Sequence, residues 1–105
     1  MIIVEGWARI APGEIERMRD AIVTMVTASR AEDGCLDYSM AIDLTDPAVL
    51  RIAERWVDQA ALDYHFTTPH MAAFQAALGA SQAEAIAVYR YDCGDSGQPL
   101  VVRGV

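Results

Sequence analysis

The chain has 105 residues, 53% of them hydrophobic, and a formal charge of −7, which indicates one domain with little room for a separate cofactor domain. All eight cations are arginines scattered among fifteen acidic residues, so no basic face is available for nucleic acid or an anionic membrane. No apolar run approaches the ~18 residues that span a bilayer, and no basic region precedes the first apolar residues, so we expect a cytoplasmic protein.

The first two predicted elements are a strand and a helix. Residues 2–10 alternate in character, which predicts a strand with Val4 and Ala8 on one face and Trp7 on the other. A Pro-Gly pair breaks this strand. Apolar residues then recur at helical spacing, which predicts one long amphipathic helix over about residues 12–31.

A hairpin is predicted next. Residues 35–43 and 49–57 both alternate, and the Thr-Asp-Pro segment between them has the composition of a turn. We therefore expect two antiparallel strands. Four residues of the second strand share one face: Leu50, Ile52, Glu54 and Trp56.

Two short helices and a fourth strand follow. Asp58 is a typical N-cap for the first helix, and Thr68, which precedes a proline, for the second helix over about residues 69–78. Residues 84–93 alternate and form the fourth predicted strand. We expect the domain to cover residues 1–93, and the tail over residues 94–105 to be either an edge strand or an arm that contacts a partner subunit.

The order β-α-β-β-α-β predicts the ferredoxin-like split βαβ arrangement, an α+β fold with one antiparallel sheet and the helices on one side of it. The other face of the sheet is then uncovered. An apolar face of that size is unusual in a monomer. We therefore expect a homodimer that forms through the open sheet face.

Two histidines flank a helix break in the segment H-F-T-T-P-H over residues 65–70. Their spacing is not that of a metal motif. His65 follows Leu62 by three residues, so it can face the sheet as a general base, or it can satisfy backbone groups at the helix break. Glu54, on the face predicted to lie beneath the helices, must be paired, hydrogen-bonded or functional, unless it forms a surface salt bridge.

Seven aromatic residues allow either a plain core or a flat apolar pocket for an aromatic ligand. They are Trp7, Tyr38, Trp56, Phe66, Phe74, Tyr89 and Tyr91. The chain has no GxGxxG, P-loop or GxSxG motif, so nucleotide binding and serine hydrolase chemistry have no support.

Four segments together resemble the antibiotic biosynthesis monooxygenase domain family, in particular its small quinol-monooxygenase-like members. They are E-D-G-C-L-D-Y (32–38), E-R-W (54–56), A-L (61–62) and H-F-T-T-P-H-M (65–71). The resemblance covers about residues 1–93 and implies a dimeric α+β barrel. It also implies oxygenation of quinols or phenolic aromatics by dioxygen without flavin, haem or metal, because a deprotonated phenol can itself pass an electron to dioxygen.

The resemblance assigns catalytic roles to His65, as the base, and to Trp56, which shapes the pocket and stacks on the substrate. The expected substrate-binding residues are Trp7, Tyr38, Glu54, Phe66, His70, Phe74 and Arg90. Neither a cofactor nor a metal ion is expected, and haem degradation is disfavoured because the Asn and the late-helix His of the haem-degrading branch are missing. The alternative is a non-catalytic dimeric barrel that binds or senses an apolar aromatic metabolite.

Overall fold

The structure is a computed structural model that describes residues 1–94 and 97–104, and over these residues the chain forms one sheet covered by helices on one side. The elements are β1 (Ile2–Arg9), α1 (Pro12–Arg17), α2 (Arg19–Arg30), β2 (Cys35–Asp43), β3 (Asp46–Trp56), α3 (Gln59–His65), α4 (Pro69–Ala80) and β4 (Ala85–Asp92). The predicted α+β ferredoxin-like fold is confirmed. None of the helices in the described part is long and apolar enough to cross a membrane.

The long helix predicted over residues 12–31 is in fact two helices, α1 and α2, divided at Met18. The backbone of Met18 has φ −83° and ψ −1°, so its ψ departs from the helical value of about −42°. The Met18 side chain is nevertheless buried in the core. The helical spacing of apolar residues continues through this break, which is why the sequence pattern does not reveal it.

The four strands lie in the order β2-β3-β1-β4, and every neighbouring pair is antiparallel. In this register, Glu54 of β3 lies opposite Tyr38 of β2 on one side and opposite Val4 of β1 on the other. Val4 in turn lies opposite Arg90 of β4. Because residues paired across a ladder share a face, these four side chains form one row across the helix side of the sheet. The face predicted for Glu54 and Trp56 is therefore confirmed.

The core lies between the sheet and the helices, where α2 packs against both β2 and α4. Its largest fully buried hydrophobic side chains are Ile10, Met25, Tyr38 and Trp56. Over the described residues, no helix covers the other face of the sheet. It combines the aromatic residues Trp7, Tyr89 and Tyr91 with charged residues such as Arg51 and Arg55, so it is mixed in character, whereas an apolar face was expected from the sequence.

The C-terminal tail follows β4. Within residues 97–104 no strand is formed, and Leu100 and Val101 are 97% and 81% exposed. Residues 95, 96 and 105 of the predicted tail lie outside the described residues. The role of the tail as an arm onto a partner subunit stays a prediction.

Candidate functional site

A cavity of about 420 Å³ lies between the helices and the helix side of the sheet. Pockets for small molecules in proteins typically have volumes of about 300–1,000 Å³ and a mostly apolar lining with a few polar groups. This lining is mostly aliphatic and aromatic. The predicted site residues that line it are Tyr38, Glu54, His65, Phe66, Phe74 and Arg90.

Three predicted site residues do not line the cavity. Trp7 lies on the open face of the sheet, because it alternates with Val4 and Ala8, whose side chains point to the cavity. Trp56 is completely buried and is not part of the cavity lining, although its ring centre lies 4.7 Å from that of His65, which is. His70 reaches the site through a hydrogen bond to Glu32.

His65 is held at the last residue of α3. The carboxylate of Asp58 caps this helix by accepting a hydrogen bond from the N–H of Ala61 at 2.9 Å, as the sequence predicts. Leu62, one turn before His65, is buried with it. The imidazole is 1% exposed, and its ring centre lies 4.7 Å from that of Trp56 and 5.5 Å from that of Tyr38.

Glu32 joins the two histidines. Its Oε2 lies 2.6 Å from Nδ1 of His65 and 2.9 Å from Nε2 of His70, so both rings are within hydrogen-bond distance of one carboxylate oxygen. The Glu32 side chain is 6% exposed. Oε1 of Glu32 and Nε2 of His65 are both buried, and neither has a hydrogen-bond partner in the described structure.

Gly34 allows Glu32 to reach the histidines. Its φ of +83° is in the left-handed region, and a Cβ at this position would lie 2.7 Å from Cβ of Ala61 and 2.9 Å from Cγ2 of Val57. The N–H of Val57 also donates to the carbonyl oxygen of Gly34 at 2.9 Å. Only glycine permits the turn after α2 to pack this closely on the start of α3. The sequence prediction treated Glu32 only as part of the helix end, although it belongs to a segment that carries the family resemblance.

The same cluster has the donor set of a metal site. Ligand atoms of Glu32, His65 and His70 all lie within 4.8 Å of one another. However, both ring nitrogens contact one carboxylate oxygen directly, and ligands of an ion would have to surround a central space. The arrangement therefore fits a closed hydrogen-bonded cluster better than a set of metal ligands.

Glu54 is the second buried carboxyl group of the site. It is 7% exposed and accepts a hydrogen bond from Nε1–H of Trp56 at 2.9 Å. Burial raises the pKa of Glu54 to about 7, although the Trp56 hydrogen bond acts in the opposite direction. Glu54 can therefore either donate or accept a proton near neutral pH.

Tyr38 and Arg90 complete the row across the sheet. Burial, followed by the nearby charge of Glu54, raises the pKa of Tyr38 well above its usual range, so its hydroxyl stays protonated. Arg90 is exposed at the β4 edge and, among the residues that the structure describes, is the one arginine in the cavity lining. The cavity thus has a buried imidazole and a buried carboxyl in its wall and a cation at its edge.

Comparisons with known proteins agree with this architecture. The model of the family described as antibiotic biosynthesis monooxygenase matches residues 1–77. The chain is 37% identical over 73 residues to the uncharacterized protein sll1783 of Synechocystis, a match that covers 70% of this chain and 50% of that protein. It is 32% identical over 77 residues to "Putative monooxygenase Rv0793" of Mycobacterium tuberculosis, covering 73% and 75% of the two chains.

Solved structures share the fold. The structure of Rv0793 superposes with a TM-score of 0.80 at 27% identity, covering 92% of this chain and 98% of that one. A Deinococcus radiodurans structure, described as a putative antibiotic biosynthesis monooxygenase, superposes with a TM-score of 0.85 at 26% identity and covers 96% of this chain and all of that one. The match to the Synechocystis protein spans half of that protein's length.

Proposed function

The chain belongs to the antibiotic biosynthesis monooxygenase family, and from that premise we propose that it oxidises a small quinol or phenolic aromatic with dioxygen and without a cofactor. A general monooxygenase-type function is supported by the family and by relatives named as monooxygenases. One observation carries the finer proposal. His65 lies in the wall of an apolar cavity with Nδ1 bound to a carboxylate and Nε2 unpartnered.

His65 is the base in this proposal. Its Nε2 takes the proton of the substrate hydroxyl, and the resulting phenolate is electron-rich enough to pass an electron to dioxygen. In the balanced reaction one atom of dioxygen bonds to a ring carbon and becomes a carbonyl oxygen. The other atom is released in water with the two hydrogen atoms that the substrate loses. The substrate supplies all the electrons.

The remaining polar residues hold the substrate in this proposal. Arg90 pairs with the developing phenolate, since it is a cation at the edge of a mostly apolar cavity. Glu54 binds a second substrate oxygen, and Tyr38 orients the ring as a neutral hydroxyl. Trp56 shapes the pocket from behind by supporting His65 and Glu54. The aromatic walls are Phe66 and Phe74.

We also propose that the chain forms a homodimer through the open face of the sheet. Support comes from Tyr89 and Tyr91, which are exposed on that face beside the half-buried Trp7 and charged residues able to form pairs across an interface. Trp7 thus has an interface role in place of the substrate contact expected from the sequence. In this proposal the exposed residues Leu100 and Val101 of the tail extend the contact as an arm.

The test is oxygen uptake with a reduced naphthoquinone, corrected for autoxidation, together with ¹⁸O₂ labelling of the product. The unaltered protein is expected to transfer one labelled oxygen atom per turnover. His65→Gln should lower the rate by about 10²- to 10⁴-fold, the usual contribution of a general base. Asp63→Asn is the matched control, because Asp63 is on the exposed side of the same helix.

Two outcomes would contradict the proposal. An unchanged rate in His65→Gln would remove the base role. Calorimetric binding of the quinol without any oxygen consumption would favour the alternative, a barrel that binds or senses an aromatic metabolite.

A further inference from the structure

We infer that Glu32 is a positioning residue that fixes the proton of His65 on Nδ1, and that His70 holds Glu32 in place for this task. The inference rests on the proposed function, in which His65 is the base. It concerns a residue that the sequence patterns do not identify as functional. The inference is argued from the hydrogen bonds that join Glu32 to His65 and His70.

The first step concerns the tautomer of His65. An ionised carboxylate can only accept hydrogen bonds, so the nitrogen 2.6 Å from Oε2 of Glu32 must carry a hydrogen atom. A neutral imidazole has one N–H, and Nε2 is therefore left with a free lone pair. That nitrogen has no partner in the described structure. The carboxylate thus selects the tautomer that a base needs.

The second step concerns charge. When Nε2 takes a proton, the imidazolium lies beside a carboxylate in a buried site, where water screens the attraction weakly. The titratable groups around the pair are Cys35 and Tyr38 on β2, Glu54 on β3 and His70 on α4. Burial raises the pKa of the Cys35 thiol and of the Tyr38 hydroxyl, so both stay neutral. Glu32 is accordingly the carboxylate in direct contact with the ring.

The third step concerns how Glu32 is held. Its Oε1 has no partner among the described residues, so the hydrogen bonds to His65 and His70 fix its rotamer through Oε2 alone. Thr68 links the two histidine segments, because its hydroxyl donates to the carbonyl oxygen of His65 at 2.7 Å and accepts from the N–H of Met71 at 3.3 Å. His70 follows in the first turn of α4. It acts as a donor that keeps the carboxylate beside His65.

A direct measurement of the tautomer tests the first step. Long-range ¹H–¹⁵N spectra of protein with ¹⁵N-labelled histidine are expected to show His65 protonated on Nδ1 and bare on Nε2. Glu32→Gln should give a mixture of both tautomers, because an amide can donate as well as accept. Asp33→Asn is the control, since it removes the same charge from an exposed neighbour. A wild-type His65 protonated on Nε2 would overturn the inference.

Turnover tests the second and third steps. Glu32→Gln should lower kcat by about 10²-fold or more with little change in KM, while Glu32→Asp should recover part of the loss. His70→Gln keeps an N–H donor and should retain most of the rate, whereas His70→Leu should lose about tenfold. An unchanged kcat in Glu32→Gln overturns the positioning role. Loss of activity on chelation, with recovery on adding a divalent ion, would also overturn it and assign the cluster to a metal.

The two readouts separate the inference from the proposed function. If the expected tautomer is found and responds to Glu32→Gln, but no quinol is oxidised, the positioning stands and the oxygenase proposal fails. If quinol is oxidised while His65 has the other tautomer, the oxygenase proposal stands and the inference fails.

Discussion

Replacing Glu54 by Gln should remove a large pH dependence from the stability of the fold. The folded chain raises the pKa of this carboxyl from 4.5 to about 7, chiefly by burial. The folded state therefore binds more protons than the unfolded state between these values. The stability that the protonated Glu54 contributes is fully present below about pH 4.5 and is progressively lost as the pH rises to about 7.

The size of the loss follows from the same values. A tenfold change in an ionisation constant corresponds to about 1.4 kcal/mol, so the change from 4.5 to about 7 is on the order of 3 kcal/mol. Glutamine cannot ionise but still accepts the hydrogen bond from Nε1–H of Trp56. We therefore expect Glu54→Gln to differ little from the unaltered chain near pH 4.5 and to be more stable by about 3 kcal/mol at pH 8.

The assay is urea unfolding followed by circular dichroism at several pH values between 4.5 and 8, at one fixed protein concentration. The two proteins differ only at residue 54, so the difference between their stability curves isolates the contribution of Glu54. Glu84→Gln, at an exposed position just before β4, is the control and should leave the pH dependence unchanged. Parallel stability curves for Glu54→Gln and the unaltered chain would refute the reasoning.

Three further measurements probe the fold and its assembly. Gly6→Ala should destabilise the chain by about 1–3 kcal/mol in urea unfolding, because its Cβ would overlap the carbonyl oxygen of Ala87, whereas Gly13→Ala, where a Cβ meets nothing within 4 Å, should not. Asp58→Ala should cost about 1 kcal/mol by removing the cap of α3, while Asp63→Ala should change little. Sedimentation should give twice the 11.4 kDa chain mass at micromolar concentration, and a monomer mass would contradict the proposed dimer.

Much of the fold could be predicted because strand alternation and helix caps are local signals. The period of two placed Glu54 on the helix side of the sheet, and Asp58 and Thr68 cap their helices as predicted. The same alternation already put Trp7 on the opposite face from Val4. Its inclusion among the substrate contacts followed from residue type alone, and the structure places it on the open face.

The depth at which a side chain is buried, and the contacts between residues far apart in the chain, could not be predicted in the same way. Alternation gives the face of Trp56 but not its depth, and the indole is completely buried in contact with the histidine ring. Glu32 is 33 residues before His65 in the chain, and their contact depends on the close packing that Gly34 permits. No periodicity in the sequence encodes such a contact, because it arises only when the turn after α2 meets α3.

The positions of the two tryptophans provide the chain with separate optical reporters. Trp56 touches His65 and Glu54, whereas Trp7 lies across the sheet on the open face. In Trp7→Phe the remaining fluorescence would come from the buried indole and would follow protonation of its two neighbours and ligand entry. In Trp56→Phe the remaining emission would follow coverage of the open face. Ligand binding and subunit association could therefore be titrated independently without attaching a dye.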